Sequence, residues 1–146
     1  MKHHFMKTKT FLILFILVSI INNSYSQSFT YKKTFFTSQE PALKDFVKMK
    51  GEIYICDTLI TLITDATNYS AKQKADYPIS ISSKKEKFMQ ARAVLESKEF
   101  DIRFTFQENF YDNKKEKFTL NMEIKDNFKN TTVSTIYYLI PKGENE

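Results

Sequence analysis

Arg92 and Arg103 are the only arginines in the chain, and each lies in a stretch that alternates polar and apolar residues. Paired as a hairpin, those stretches set the two guanidinium groups side by side on an outward face, with Asp101 on the same face and Glu123 one strand away. Guanidinium groups fork onto carboxylates and phosphates, so the cluster predicts an anion- or carboxylate-recognition spot. Like charges placed directly opposite repel unless a neutral or negative group joins them. The competing reading is a solvated ion-pair cluster of little energetic value, the commoner outcome for such groupings. Arg92, Arg103, Asp101 and Glu123 are therefore the candidate residues for a ligand or partner.

Other chemistries find few of the groups they need. Glu96, Glu99, Asp101, Glu108, Asp112, Glu116 and Glu123 supply carboxylates for glycoside cleavage by an acid and base pair. All of them read as outward strand or turn positions, where a carboxylate is simply solvated. Both histidines, His3 and His4, fall in the N-terminal leader. Without them the rest of the chain has no Ser-His-Asp triad, no Cys-His pair and no histidine metal ligand. Gly51 and Gly143 are the only glycines, which excludes a glycine-rich phosphate cradle. Cys56 has no partner for a disulfide and reads as a small buried hydrophobe, with an intermolecular thiol as the alternative. The expectation is a non-enzymatic protein with no catalytic residue, no cofactor and no metal.

The leader is an address. Lys2, His3, His4, Lys7 and Lys9 precede an apolar run from Phe11 to Ile21 broken only by Ser19, and Ser24 and Ser26 place small residues before Gln27. That order predicts a secretory signal peptide over 1–26, cut between Ser26 and Gln27. The 11-residue run falls well short of the roughly 20 residues that span a bilayer, so no stable membrane anchor is expected after cleavage. The lysine-rich leader looks bacterial, and the product is expected to be periplasmic or extracellular. Without Lys2, Lys7 and Lys9 the 22 basic residues become 19 against 17 acidic, and the net charge falls from +5 to +2. The basic balance is mostly targeting signal, and no nucleic-acid partner is implied.

Residues 27–146 are expected to fold as one domain. Its organising stretch is Lys50 to Asp65, in which Ile53, Ile55, Ile60 and Leu62 share a face if the arms fold back about Asp57. Ser28 to Phe36 predicts a first strand with Phe29, Tyr31 and Phe35 on one side and Thr30, Lys32 and Thr34 on the other. Thr37 to Asp45 reads as a loop or one helical turn capped by Ser38, with Pro41 inside it. Ala66 to Asp76 reads as a loop, and Pro78 marks the next strand as an edge or a start. Met89, Ala91, Ala93 and Leu95 are then expected opposite Phe106, Phe104, Ile102 and Phe100, small residues facing large ones. A one-residue slip would bury an arginine, which fixes this register. A polar turn containing Asp112-Asn113 leads to a strand from Phe118 to Ile124. A final strand from Thr132 to Ile140, covered on both faces, ends at Pro141.

The pattern predicts a mainly β antiparallel meander of about eight strands, closed as a small up-and-down barrel or half-barrel. It resembles lipocalin-type barrels in architecture only, which does not fix function. The alternative is an α+β fold with one helix near residues 39–49 packed on an antiparallel sheet. The function expected is an exported non-enzymatic binding module. Its partner is an unknown protein, met through strand edges or the arginine face, or a small apolar ligand held inside the barrel. The alternative is a carboxylate-dependent hydrolase acting on envelope or extracellular material.

Overall fold

The structure, a computed structural model, describes residues 26–39, 42–65, 72–111 and 115–143. The leader up to residue 25, Pro41, the Asp112-Asn113 turn and most of the loop expected after Asp65 lie outside the described residues. Among the described residues there are nine strands and no helix: β1 (Gln27–Ser38), β2 (Leu43–Val47), β3 (Gly51–Ile55), β4 (Leu59–Thr64), β5 (Gln73–Lys85), β6 (Phe88–Ala93), β7 (Phe100–Glu108), β8 (Phe118–Asp126) and β9 (Thr131–Pro141). Neighbours run β2-β1-β3-β4-β5-β6-β7-β8-β9, and β9 returns to pair with β1. Strands β1 and β3 to β9 therefore close an eight-stranded antiparallel barrel, and β2 is an extra strand beside it.

The α+β alternative fails at β2. The segment expected to be a loop or helical turn is a strand, paired with β1 from Thr34↔Val47 to Ser38↔Leu43. The extended form lays Phe46 directly across from Phe35, with ring centroids 4.8 Å apart. The loop expected through Asp76 is also shorter than read, because β5 already begins at Gln73.

A bulge in β1 sets the rest. Tyr31 faces Leu139 and Thr34 faces Tyr137, so Lys32 and Lys33 together oppose the single residue Tyr138. The extra residue flips the alternation. Phe29 and Tyr31 point inward before it, whereas after it Thr34 takes the inside at 1% exposure. Phe35, expected on the inner face with Phe29 and Tyr31, is turned outward. β1 also changes neighbours here, from β3 to β2.

Pro78 lies inside β5, neither at an edge nor at a start. Its carbonyl accepts from Val94 N at 2.7 Å, but it has no N–H to return the bond. The β5–β6 ladder accordingly starts one residue on, at Ile79↔Ala93. A second bulge at Ser82 lies further along the same ladder, between Ile81↔Ala91 and Ser83↔Gln90.

The β6–β7 register is the one expected, with Met89↔Phe106, Ala91↔Phe104 and Arg92↔Arg103. It does not continue to a Leu95–Phe100 pair. β6 ends at Ala93, and the connection is drawn instead toward the β8–β9 turn, where Asn127 N and Nδ2 donate to Glu99 O and Lys98 O at 2.9 Å each. Leu95 and Phe100 are left 39% and 40% exposed, so Phe100 is not an interior residue.

The barrel is filled by its own side chains. Ile53, Ile60, Leu120 and Leu139 are fully buried, and Ile55 and Leu62 join Ile53 and Ile60 as the β3–β4 hairpin requires. Rings meet inside it: Phe29 of β1 with Phe106 of β7 at 5.5 Å, Tyr77 of β5 with Phe104 of β7 at 5.4 Å, and Tyr31 with Tyr137 of the neighbouring β9 at 5.1 Å. Each buried ring contributes about 1.5–3 kcal/mol by leaving water. Tyr31 also ties β1 to β4, its hydroxyl 3.0 Å from Thr64 Oγ1 and donating to Ile63 O at 3.3 Å. At the open end of the chain, Lys142 Nζ donates to Tyr54 Oη at 2.6 Å and lies 3.2 Å from Glu52 Oε1, fastening the end of β9 to β3 across β1.

Candidate functional site

The four residues singled out in the sequence do meet on one outward face. Arg92 sits directly opposite Arg103, and Arg103 directly opposite Glu123. Arg103 donates through Nε to Asp101 Oδ2 at 3.1 Å and its Nη2 lies 3.0 Å from the same oxygen. Glu123 Oε1 accepts from Asn121 Nδ2 at 3.3 Å, and Asn121 Oδ1 accepts from Ser134 Oγ at 2.7 Å. The like-charge contact is thus relieved on the Arg103 side by the ion pair with Asp101, with Glu123 as the cross-strand neighbour. Among the described residues Arg92 has no acidic partner, so it is the charge a bound anion would meet. The arginine pair lines an open pocket of about 570 Å³ with Gln90, Thr105 and Glu123, and its salt bridge is half-exposed, so the ion pair itself contributes little.

A second feature of the same wall was not read from the sequence. Lys33, Phe35, Phe46, Ile136, Tyr138 and Glu116 line an open cleft of about 530 Å³ on the outside of the barrel, with Asn109 and Tyr111 at its rim. The β1 bulge turns Lys33 and Phe35 outward, β9 supplies Ile136 and Tyr138, and β2 supplies Phe46. Lys33 Nζ is 3.2 Å from Glu116 Oε2, 4.7 Å above the Tyr138 ring and 5.8 Å from the Phe46 ring. Asn109 shapes the neighbouring loop, donating to Glu116 O at 2.8 Å and accepting from Tyr111 N at 3.2 Å. Burial raises the Tyr138 phenol above its ordinary value, and Glu116 and Tyr111 push the same way against Lys33. The hydroxyl is therefore a neutral hydrogen-bonding group throughout the ordinary pH range.

The cleft and the arginine pocket belong to one surface. Successive cross-strand pairs form an outer row Phe46–Phe35–Ile136–Asn121–Thr105–Gln90 from β2 to β6. The row beside it runs Lys44–Thr37–Ser134–Glu123–Arg103–Arg92. The first row is apolar on β2, β1 and β9 and amide- or hydroxyl-bearing from β8 to β6; the second carries Lys44 on β2 and its other charges on β8, β7 and β6. The signal missed in the sequence is the Lys32-Lys33 doublet followed by Phe35-Phe36, which a strict two-residue period cannot hold.

Cys56 is half-buried at the β3–β4 turn, less enclosed than a core position, with its thiol 3.3 Å from Leu59 O. It lines a small pocket of about 60 Å³ at that mouth of the barrel, beside the Lys84–Asp57 ion pair. Among the described residues no group of three or more His, Cys, Asp or Glu is placed to hold a metal ion.

Compared with known proteins, the chain matches no family model, no curated protein and no solved structure.

Proposed function

We propose that this chain is an exported, non-enzymatic binding module that meets its partner on the outer β6–β9–β1–β2 wall. The observation that carries the reading is where the apolar side chains are spent. The interior is occupied by the protein's own rings, whereas Phe35, Phe46, Ile136 and Tyr138 stand on the outside around an open cleft. Exposed aromatic residues flanked by fixed polar groups are the usual makings of a recognition surface. The leader supports export, since its basic, apolar and small-residue segments are in secretory order. Of the occupants the sequence allowed, a ligand held inside the barrel has the least room, and an external partner has both the cleft and the uncompensated Arg92.

Native mass spectrometry of the protein recovered from its own host compartment tests this. The expected result is a bound partner that is lost when Phe46 and Tyr138 are replaced by alanine. An apolar small molecule retained by both the parent and that double variant would refute it.

A further inference from the structure

We infer that the Phe46–Tyr138 cleft is a carbohydrate site, which takes an uncharged sugar ring and passes the glycan chain along the row toward β6. The inference rests on the outer-wall reading and names the partner class for it.

Charge comes first. Lys33 and Glu116 neutralise each other at 3.2 Å, and the Lys33 ammonium is further held over the Tyr138 and Phe46 rings. The cleft therefore offers no net charge and suits a ligand that carries none. The charged pocket of this wall, with Arg92, Arg103 and Glu123, reaches the row only at Thr105 and Gln90, several strands away from Phe46, and Lys44 on β2 stands in the neighbouring row without lining the cleft.

The lining then narrows the chemistry. Ring faces are electron-rich and attract polarised C–H groups, and Phe46 presents its ring at 59% exposure. Around the rings stand groups that hydrogen-bond, the neutral Tyr138 hydroxyl and the Lys33–Glu116 pair. A sugar ring has a C–H face and a hydroxyl rim, which is the same division. A purely apolar ligand would leave the polar rim unmatched and would sit poorly in so open a cleft.

The row provides the second, independent observation. Beyond Phe35 and Ile136 come Asn121, Thr105 and Gln90 in direct cross-strand succession. Amide and hydroxyl side chains both donate and accept, as sugar hydroxyls do. Five strand steps carry this row roughly 24 Å across the wall, long enough for several linked sugars.

The test is a backbone-amide NMR titration of the full chain, expressed with its leader and processed by the host. The probes are cellohexaose, chitohexaose, hexagalacturonate and a proline-rich peptide. The expected result is that a neutral hexaose shifts the amides of Phe35, Phe46, Ile136 and Tyr138. Phe46→Ala and Tyr138→Ala should each weaken it by about 10-fold or more, a loss of about 1.4 kcal/mol. Tyr54→Ala, on β3 beside the start of β1 and outside the cleft, should leave it unchanged. The inference is overturned if no probe moves those amides, if hexagalacturonate alone binds and Arg92→Ala abolishes it, or if only the peptide occupies the cleft. None of those three results would place the native partner inside the barrel, so the outer-wall reading fails separately, in the mass-spectrometric experiment above.

Discussion

Gly51→Ala is the substitution for which the structure gives the sharpest expectation. Gly51 lies between Tyr31 on β1 and Thr64 on β4. An added Cβ would stand 2.0 Å from Ile63 O, 2.5 Å from Tyr31 Oη and 2.7 Å from Tyr31 Cζ. The first contact is to backbone and can be relieved only by moving the β3–β4 ladder. The other two can be relieved only by expelling a ring that is 1% exposed and packed at 5.1 Å on Tyr137. Glycine is thus required by close approach and not by an unusual φ. Overpacking of this kind costs about 1–3 kcal/mol, and losing the two Tyr31 hydrogen bonds adds about 1 kcal/mol each, for a total of about 3–5 kcal/mol. That is a large share of the roughly 5–15 kcal/mol that holds a domain folded. Urea denaturation followed by circular dichroism reads it directly. Tyr31→Phe should cost about 1–2 kcal/mol alone, and because it removes one of the clashes its effect should combine with Gly51→Ala to less than the sum. A Gly51→Ala protein within about 0.5 kcal/mol of the parent would refute the packing described.

Phe104→Ala should cost about 3–5 kcal/mol and Phe100→Ala less than about 1 kcal/mol, since only Phe104 lies in the core; equal losses in urea melts would contradict the early end of β6. Arg92→Ala and Arg103→Ala should each shift stability by less than about 1 kcal/mol, because the ion pair is solvated; a loss above about 2 kcal/mol would mean a buried network. The Glu52 carboxyl is held below its ordinary 4.5, first by the Tyr54 hydroxyl and then by Lys142. Its contribution is present above 4.5 and fades as pH falls through the lower folded value, so the gap between parent and Glu52→Gln should close on acidification from pH 6 to pH 3. A gap that stayed constant or widened would show that the clamp on β9 does not depend on this charge.

The barrel was legible because most strands keep a strict two-residue period with one greasy face. The β3–β4 hairpin and the Met89–Phe106 register follow from alternation alone, since any slip would bury a charge. What escaped the pattern breaks the period or depends on distant partners. The β1 bulge inserts one residue at Lys32-Lys33 and sends Phe35 outward. β2 has no amphipathic alternation of its own and becomes a strand by lying against β1. Phe100 loses its interior place because Asn127, far along the chain, captures the turn before it. The arginine face was found because it rides on the well-specified β6–β7 register. The aromatic cleft was missed because it depends on both the bulge and β2.

Hydroxyl-radical footprinting of the protein with its native partner retained, compared with the protein alone, addresses the outer-wall claim most directly. The account predicts protection of Phe35, Phe46 and Tyr138 on partner binding, with Tyr54, beside the start of β1 and outside the cleft, equally reactive in both samples. Protection confined to Tyr54 and its neighbours on β3 and β4, with the cleft rings unchanged, would contradict it.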